Sequence, residues 1–257
     1  MDGNRLDTSI RSLSELCTRR GFTRFLGGLA LTASLAVYGP SAADSKGKRK
    51  KKRKKKRKGT NPTGPTILAP TGPVRKTITR TFSNETKITI PGGGLTIGPA
   101  APYNTSFIEV TGFTNGRILD VNVTLQWFNH EIPEDVDILL TAEHLPGQNA
   151  LVMSDAGGLE LFPESNLILT LDDQAAAPLS EAGPLVHGTF KPANYSGAGP
   201  DDFPFPAPTP TGNAALSVFN GINPNGIWYL FVVDDFIGSV GNIGIGWSLE
   251  IKAEVDG

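Results

Sequence analysis

Residues 225–251 read NGIWYLFVVDDFIGSVGNIGIGWSLEI. Seven apolar or aromatic residues, Ile227 to Val233, run straight into Asp234 and Asp235. At a period of two, Ile227, Tyr229, Phe231 and Val233 point one way and Trp228, Leu230 and Val232 the other, so neither face is polar. That pattern predicts a central strand covered on both sides. A glycine-rich stretch follows, and then Trp247, Leu249 and Ile251 alternate with Ser248, Glu250 and Lys252, a strand buried on one side only. The open question is what two adjacent negative charges do at the end of a segment built for burial.

The same period runs through the preceding sequence. Val121, Val123, Leu125 and Trp127 share one face, with Asn122, Thr124 and Gln126 on the other. Further strands are expected at 77–82, 87–90, 106–110, 136–141, 151–154, 167–171 and 216–219. Turn pairs such as Asn225-Gly226 and Pro146-Gly147 punctuate the runs, and no capped helical pattern occurs. The expectation for residues 74–257 is an all-β fold, an antiparallel sandwich with almost no helix. Residues 201–212, DDFPFPAPTPTG, are too rich in proline to pair inside a sheet and must cross the surface. No internal repeat of the length that marks solenoids or propellers is evident.

The chain has 257 residues and a formal net charge of −1, which hides a strong segregation. Residues 46–58, from Lys46 to Lys58, read KGKRKKKRKKKRK and hold 12 of the 24 lysines and arginines. Residues 66–257 carry 7 cations against 21 acids, a net of −14. A body this acidic repels itself unless cations sit among its carboxylates, which favours divalent ions and argues against nucleic acid as its ligand. The single cysteine, Cys17, excludes an intrachain disulfide.

The first 43 residues have the three parts of a secretory signal. TRRGFTR at residues 18–24 is basic, FLGGLALTASLAVYG at 25–39 is moderately apolar, and PSAA at 40–43 is a small-residue exit. The pair Arg19-Arg20 followed by Phe22 resembles the twin-arginine export signal, with cleavage expected before Asp44. That makes the protein an exported one of bacterial type. Residues 44–73 then form the expected disordered linker, a polybasic tract followed by TNPTGPTILAPTGP at 60–73. The basic tract reads either as an electrostatic tether to an anionic cell-surface polymer or membrane surface, or as a solubilising spacer.

Catalytic patterns are weak. His187-Gly188-Thr189 invites comparison with subtilisin-like proteases, but no nucleophile turn follows and no G-x-S-x-G elbow exists. His187 reads as a strand-edge residue. His130 and His144 lie 14 residues apart without an H-E-x-x-H pair, so a catalytic zinc site is unsupported. The acids recur at strand ends instead: Asp135 and Asp137, Asp155, Asp172 and Asp173, and Asp234 and Asp235. Calcium takes six to eight oxygens of this kind from flexible loops, and these seven aspartates are the candidate ligands. The competing reading is that aspartate ends strands because it favours turns and blunts edges. Two neighbouring aspartates cannot point the same way in extended chain, so one is expected to face the ion while its neighbour caps the turn.

ILDVNVTLQWFNHEIPEDVDILL, residues 118–140, resembles the opening of the P domain (P/Homo B), the β-sandwich that follows the catalytic domain in kexin- and furin-like proprotein convertases. His130 and residues 135–140 fill the family's His and Asp-Leu/Ile places, and Leu145-Pro146-Gly147 stands in for its Pro-containing turn. Gly157-Gly158 and Asp172-Asp173 resemble further turns. The C-terminal pattern is matched by Asn225, Gly226, Trp228, Leu230, Val232 and Asp234, then by Gly241, Ile243, Trp247, Ser248, Leu249 and Ile251. The resemblance covers residues 74–255. It implies a jelly-roll-like sandwich, some of whose members bind calcium, and no protease activity of its own. The functional expectation is an exported, non-catalytic, calcium-stabilised module acting in binding or surface association. The alternative is an accessory domain for a separately encoded subtilisin-like serine protease.

Overall fold

The computed structural model describes residues 74–92, 97–145, 147–159, 166–195 and 201–257. The expected signal helix within residues 1–43 and the basic and Pro/Gly linker of residues 44–73 lie outside the described residues. In chain order the strands are β1 (Arg75–Asn84), β2 (Ile88–Ile90), β3 (Gly98–Pro99), β4 (Phe107–Val110), β5 (Arg117–His130), β6 (Val136–Ala142) and β7 (Asn149–Ser154). They continue as β8 (Leu167–Leu171), β9 (Gly188–Phe190), β10 (Ala193–Asn194), β11 (Gly226–Asp234), β12 (Gly241–Ile243) and β13 (Trp247–Asp256). Two 3-10 turns, Pro133–Asp135 and Leu216–Phe219, are the helical elements among the described residues.

Two sheets form. The first has the order β1-β13-β5-β12-β2, with β8 on the other edge of β5 and β9 beside β8; the second has the order β10-β7-β6-β11-β3, with β4 also on β11. Most pairings are antiparallel, but β7/β10 and β8/β9 are parallel, so the sheets are mixed and not purely antiparallel as the sequence suggests. The inward residues of both sheets meet in one core. Val121, Val123 and Leu125 of β5 and Trp247, Leu249 and Ile251 of β13 pack with Ile138 and Leu140 of β6 and Trp228, Leu230 and Val232 of β11. Both tryptophans keep their indole N–H satisfied inside it: Trp228 donates to the Pro224 carbonyl at 2.9 Å and Trp247 to Ser106 Oγ at 3.1 Å.

The expected two-sided burial of β11 has a specific source. Its outer residue Phe231 joins Leu139 and Leu151 in a second cluster, against which Tyr103, Phe203, Ala207 and Tyr229 pack. The proline-rich segment crosses the surface as expected and becomes the cover over the outer face of this sheet. It is anchored where the Asn149 side-chain amide donates to the Thr209 carbonyl at 3.0 Å.

Two expectations fail locally. Residues 216–219 form a 3-10 turn and no strand, because Asp173 accepts the N–H groups of Leu216 and Ser217 at 3.0 and 2.7 Å and so caps a turn start. Trp127 does not share the buried face of Val121, Val123 and Leu125. Its φ is +61°, the pairing of β5 with β8 shifts between Gln126 and Phe128, and Trp127 is 47 % exposed. This is a β-bulge: one extra residue reverses the alternation, and Phe128 and His130 turn inward in its place.

Candidate functional site

The reversal at Trp127 delivers His130 to the end of the sandwich where β6 begins and β11 ends. Gly241 holds it there, since a Cβ at that position would overlap the Asn129 carbonyl and the His130 ring. The turn Pro133–Asp135 opens with proline, whose fixed φ suits a first helical residue, and its main-chain bond from Asp135 N–H to the Ile132 carbonyl closes at 3.1 Å. In the ladder between β6 and β11, Val136 faces Asp234 and Asp137 faces Val233. The Asp235 N–H donates to the Asp135 carbonyl at 3.0 Å, joining the two strand ends. The result is a knot of ionisable groups with little water: His130, Glu134, Asp135, Asp137, Asp155 and Asp234 are all buried.

His130 and Asp234 form its centre. The ring Nδ1 donates to the Ile132 carbonyl at 2.8 Å, since a carbonyl can only accept. The ring Nε2 stands 3.1 Å from Asp234 Oδ2, and both side chains are fully buried. With Nδ1 already a donor, the pair holds one further proton, making it either an imidazolium with a carboxylate or a neutral imidazole with a carboxylic acid. Asp234 Oδ1 accepts the Phe236 N–H at 3.0 Å. So Asp234 faces inward and caps the turn at once, while Asp235 is exposed.

Two neighbouring carboxyls are strongly perturbed. Burial, and then the charge of Asp234, push Asp135 up to about 7, against a hydrogen bond from Ser239 Oγ at 3.1 Å that favours the charged form. Asp137 is held well above the usual carboxylate range, first by burial and then by the charges of Asp201, Asp235 and Asp155. The nearby hydroxyl of Ser154 offsets a little of that shift, but its hydrogen bond goes to Asp155 Oδ2 at 3.2 Å. Neither oxygen of Asp137 has a hydrogen-bond partner among the described residues. Leaving an ionised carboxylate buried in this way costs several kcal/mol, so Asp137 must take up a proton or a cation.

Asp135, Asp137, Asp155, Asp234 and Asp235 therefore gather at one end of the second sheet. Asp172 and Asp173 do not join them. They follow Leu171, which pairs with Val123 in β5, seven residues before His130 and roughly 23 Å away along the strand. Both are spent on the backbone: Asp172 Oδ1 accepts the Gln174 N–H at 2.6 Å, and Asp173 caps the 3-10 turn. Among the described residues no three His, Cys, Asp or Glu side chains converge closely enough to hold a metal ion. Any cation near Asp137 would need main-chain or water oxygens besides carboxylates, which calcium accepts readily.

Sequence reasoning did not find three members of this site. The link from His130 to Asp234 spans 104 positions and depends on the bulge; a tryptophan interrupting a strand that otherwise buries aliphatic residues was the available signal. Asp201 opens the proline-rich segment and reaches Asp137 only because that segment crosses the sheet. Ser239 sits in the glycine-rich stretch, where nothing marks it. His187, by contrast, lies just before β9 with its Nδ1 accepting the Ile168 N–H at 3.0 Å, the strand-edge role expected of it. His144 Nε2 donates to the Asn223 carbonyl at 2.9 Å, remote from the acids. Compared with protein-family models, with curated proteins and with solved structures, the chain gives no match.

Proposed function

We propose that this protein is an exported, non-catalytic β-sandwich module of the P-domain type, that calcium stabilises its acidic end, and that it acts by binding or surface association. The observation that carries the calcium reading is Asp137: a fully buried carboxyl with no partner for either oxygen among the described residues, amid the charges of Asp155, Asp201 and Asp235. Hard oxygen donors around an unneutralised charge are what calcium takes. Asp137 would hold the ion, with main-chain and water oxygens as its further donors, and the ion when bound would supply the positive charge this end lacks. The β-sandwich and the C-terminal pattern from Asn225 to Ile251 support the family reading. Export rests on the sequence of residues 18–43, and surface attachment on the basic tract from Lys46 to Lys58.

Thermal melting with calcium and with chelator tests the metal. A ligand at 100 times its dissociation constant contributes about 2.7 kcal/mol. For a domain of this size that raises the midpoint by roughly 5–10 °C. Replacing Asp137 by Asn should abolish the response while leaving the protein folded. Coincident curves with and without calcium would discard the ion.

One observation favours the alternative, an accessory to a separate serine protease. Trp127, Ile168 and Ile245 are exposed around Gln126 on the outer side of the first sheet: Ile168 pairs with Gln126, and the Ile245 N–H bonds its carbonyl at 3.0 Å. Apolar side chains gathered on a surface suit a protein partner. Recovery of one serine protease in stoichiometric amount from surface proteins, lost on Trp127→Ser, would favour that role. Retention on wall polymer or anionic membrane that high salt abolishes would favour the tether.

A further inference from the structure

The bulge in β5 gives Trp127 an unusual setting. Trp228 and Trp247 are buried in the core, whereas Trp127 stands out from the outer face of the first sheet. Its φ of +61° lies in the left-handed region, where a bulky side chain is an outlier that the surrounding fold must impose. The turn after β12 does this. The Gly244 N–H donates to the Trp127 carbonyl at 2.9 Å, and a Cβ at Gly244 would stand 3.2 Å from Trp127 Cβ and 3.5 Å from its Cε3. Glycine at that position therefore gives the indole a seat. A large apolar ring is held in place while 47 % of the residue stays exposed. Re-aiming a side chain at a site is a recurrent use of β-bulges.

What surrounds the indole decides what it fits. Ile168 and Ile245 taken alone suit a protein partner, but the rest of the strip is polar and carries no charge. Thr124 pairs with Thr170 on one side and Ser248 on the other, the two threonine hydroxyls 3.0 Å apart. Asn129 faces Asn242, whose amide donates to Asn129 Oδ1 at 3.4 Å. Between them the Gln126 side chain makes no hydrogen bond among the described residues. From Thr124 to Asn129 the strip runs roughly 15 Å at the rise of a strand. None of the residues paired with β5 along it is charged; carboxylates first appear at Glu250, opposite Asn122, and at Glu131. In a body with 21 acids over residues 66–257, that is a distinct neutral zone.

We propose that this strip binds a neutral polysaccharide, an extended chain of equatorially linked pyranoses; the assignment rests on the reading of the protein as a surface-binding module. Such a sugar ring has an apolar face of C–H groups and a rim of hydroxyls. The C–H face lies on the Trp127 indole, and Ile168 and Ile245 at its margin remove further apolar surface from water. Each rim hydroxyl both donates and accepts. Side-chain amides do the same, so Gln126, Asn129 and Asn242 meet those hydroxyls without bringing charge. Under an apolar protein surface the same amides would lose water and gain no partner, at a cost. The open sheet face leaves room for a chain to run along the strip.

The test is calorimetric titration of the full chain with cellohexaose and with chitohexaose at high salt, followed in parallel by tryptophan emission. Saturable binding of at least one hexaose is expected, with a blue shift, because Trp127 is the exposed tryptophan of the three. Trp127→Ala should abolish the shift and weaken binding at least tenfold, corresponding to about 1.4 kcal/mol. Asn242→Ala leaves the indole and the bulge in place and should weaken it about threefold. Deleting residues 46–58 should change nothing, since the strip is neutral and acts apart from the basic tract. Absence of binding by both hexaoses overturns the proposal, as does binding indifferent to both substitutions, or binding lost at high salt or with the tract. Equal affinity for maltohexaose, whose axial links coil the chain, also overturns it. So does stoichiometric capture of a serine protease that is lost on Trp127→Ser and that neither hexaose displaces. Failure on these counts leaves the calcium response and salt-sensitive retention by the basic tract standing, and their failure leaves sugar binding standing.

Discussion

Two aspartate pairs end strands in this protein, and they do opposite work. Asp172-Asp173 follows β8, and its carboxylates accept the N–H groups of Gln174, Leu216 and Ser217. Asp234-Asp235 ends β11, and its first member lies buried against His130, with the perturbed Asp135 and Asp137 nearby. The dipeptide is the same in both places. What differs is what the rest of the chain brings: free backbone donors in one case, a histidine and further carboxylates in the other. A carboxylate met by N–H groups is a local device for ending a strand. One met by other carboxylates stores an electrostatic cost that a proton, an ion or a cationic partner must offset.

The contrast is open to attack by mutation. The largest effect is expected at the buried pair. His130→Ala leaves Asp234 without its cation or donor and should cost roughly 3–5 kcal/mol in urea unfolding, at an unchanged m-value. A loss under about 1 kcal/mol would place Asp234 with the merely local caps.

Next comes pH, in the presence of chelator. Because Asp135 is raised to about 7 in the fold from its ordinary value of 3.8, the native state binds more protons than the unfolded chain between those values. Its contribution is therefore fully present below about 4 and is lost as pH rises towards 7, with an upper bound of about 4 kcal/mol at 1.36 kcal/mol per unit. Asp137 is shifted in the same direction and extends the loss to higher pH. Asp135→Asn should flatten the slope over this window, and saturating calcium should reverse its sign if the ion binds these carboxylates. A melting temperature that instead climbs steadily from pH 4 to 7 with chelator would contradict the burial argument.

The smallest effect belongs to the other pair. Asp173→Ala removes the acceptor that starts the 3-10 turn Leu216–Phe219 and should cost about 1 kcal/mol, with the same value in calcium and in chelator. A calcium-dependent difference at Asp173 would erase the distinction between the two pairs.

Period-two alternation carried most of the fold. Residues 121–125 and 247–251, and the two-faced run of β11, lie as their side-chain pattern predicts, because burial on a pleated surface is a local property of sequence. What alternation could not convey was a change of register. The bulge at Trp127 has no compositional mark such as glycine, yet it decides whether Asn129 or His130 points inward. The candidate site was half legible for a related reason. Acidic residues at strand ends could be read off directly, but which ends meet depends on strand order. Asp172 and Asp173 looked no different from Asp234 and Asp235, and Asp201 looked like part of a loop.

The bulge in β5 also divides one long strand into two regions that can vary separately. From Val121 to Leu125 the odd-numbered positions are interior; from Phe128 to His130 the even-numbered ones are. Deleting Trp127 alone would take out the extra residue, so Phe128 would follow Gln126 in plain alternation and both the packing of Val121 and Val123 and the inward His130 would be kept. The acidic end therefore keeps its imidazole through a one-codon loss at the bulge, and the exposed indole is what the shorter strand gives up.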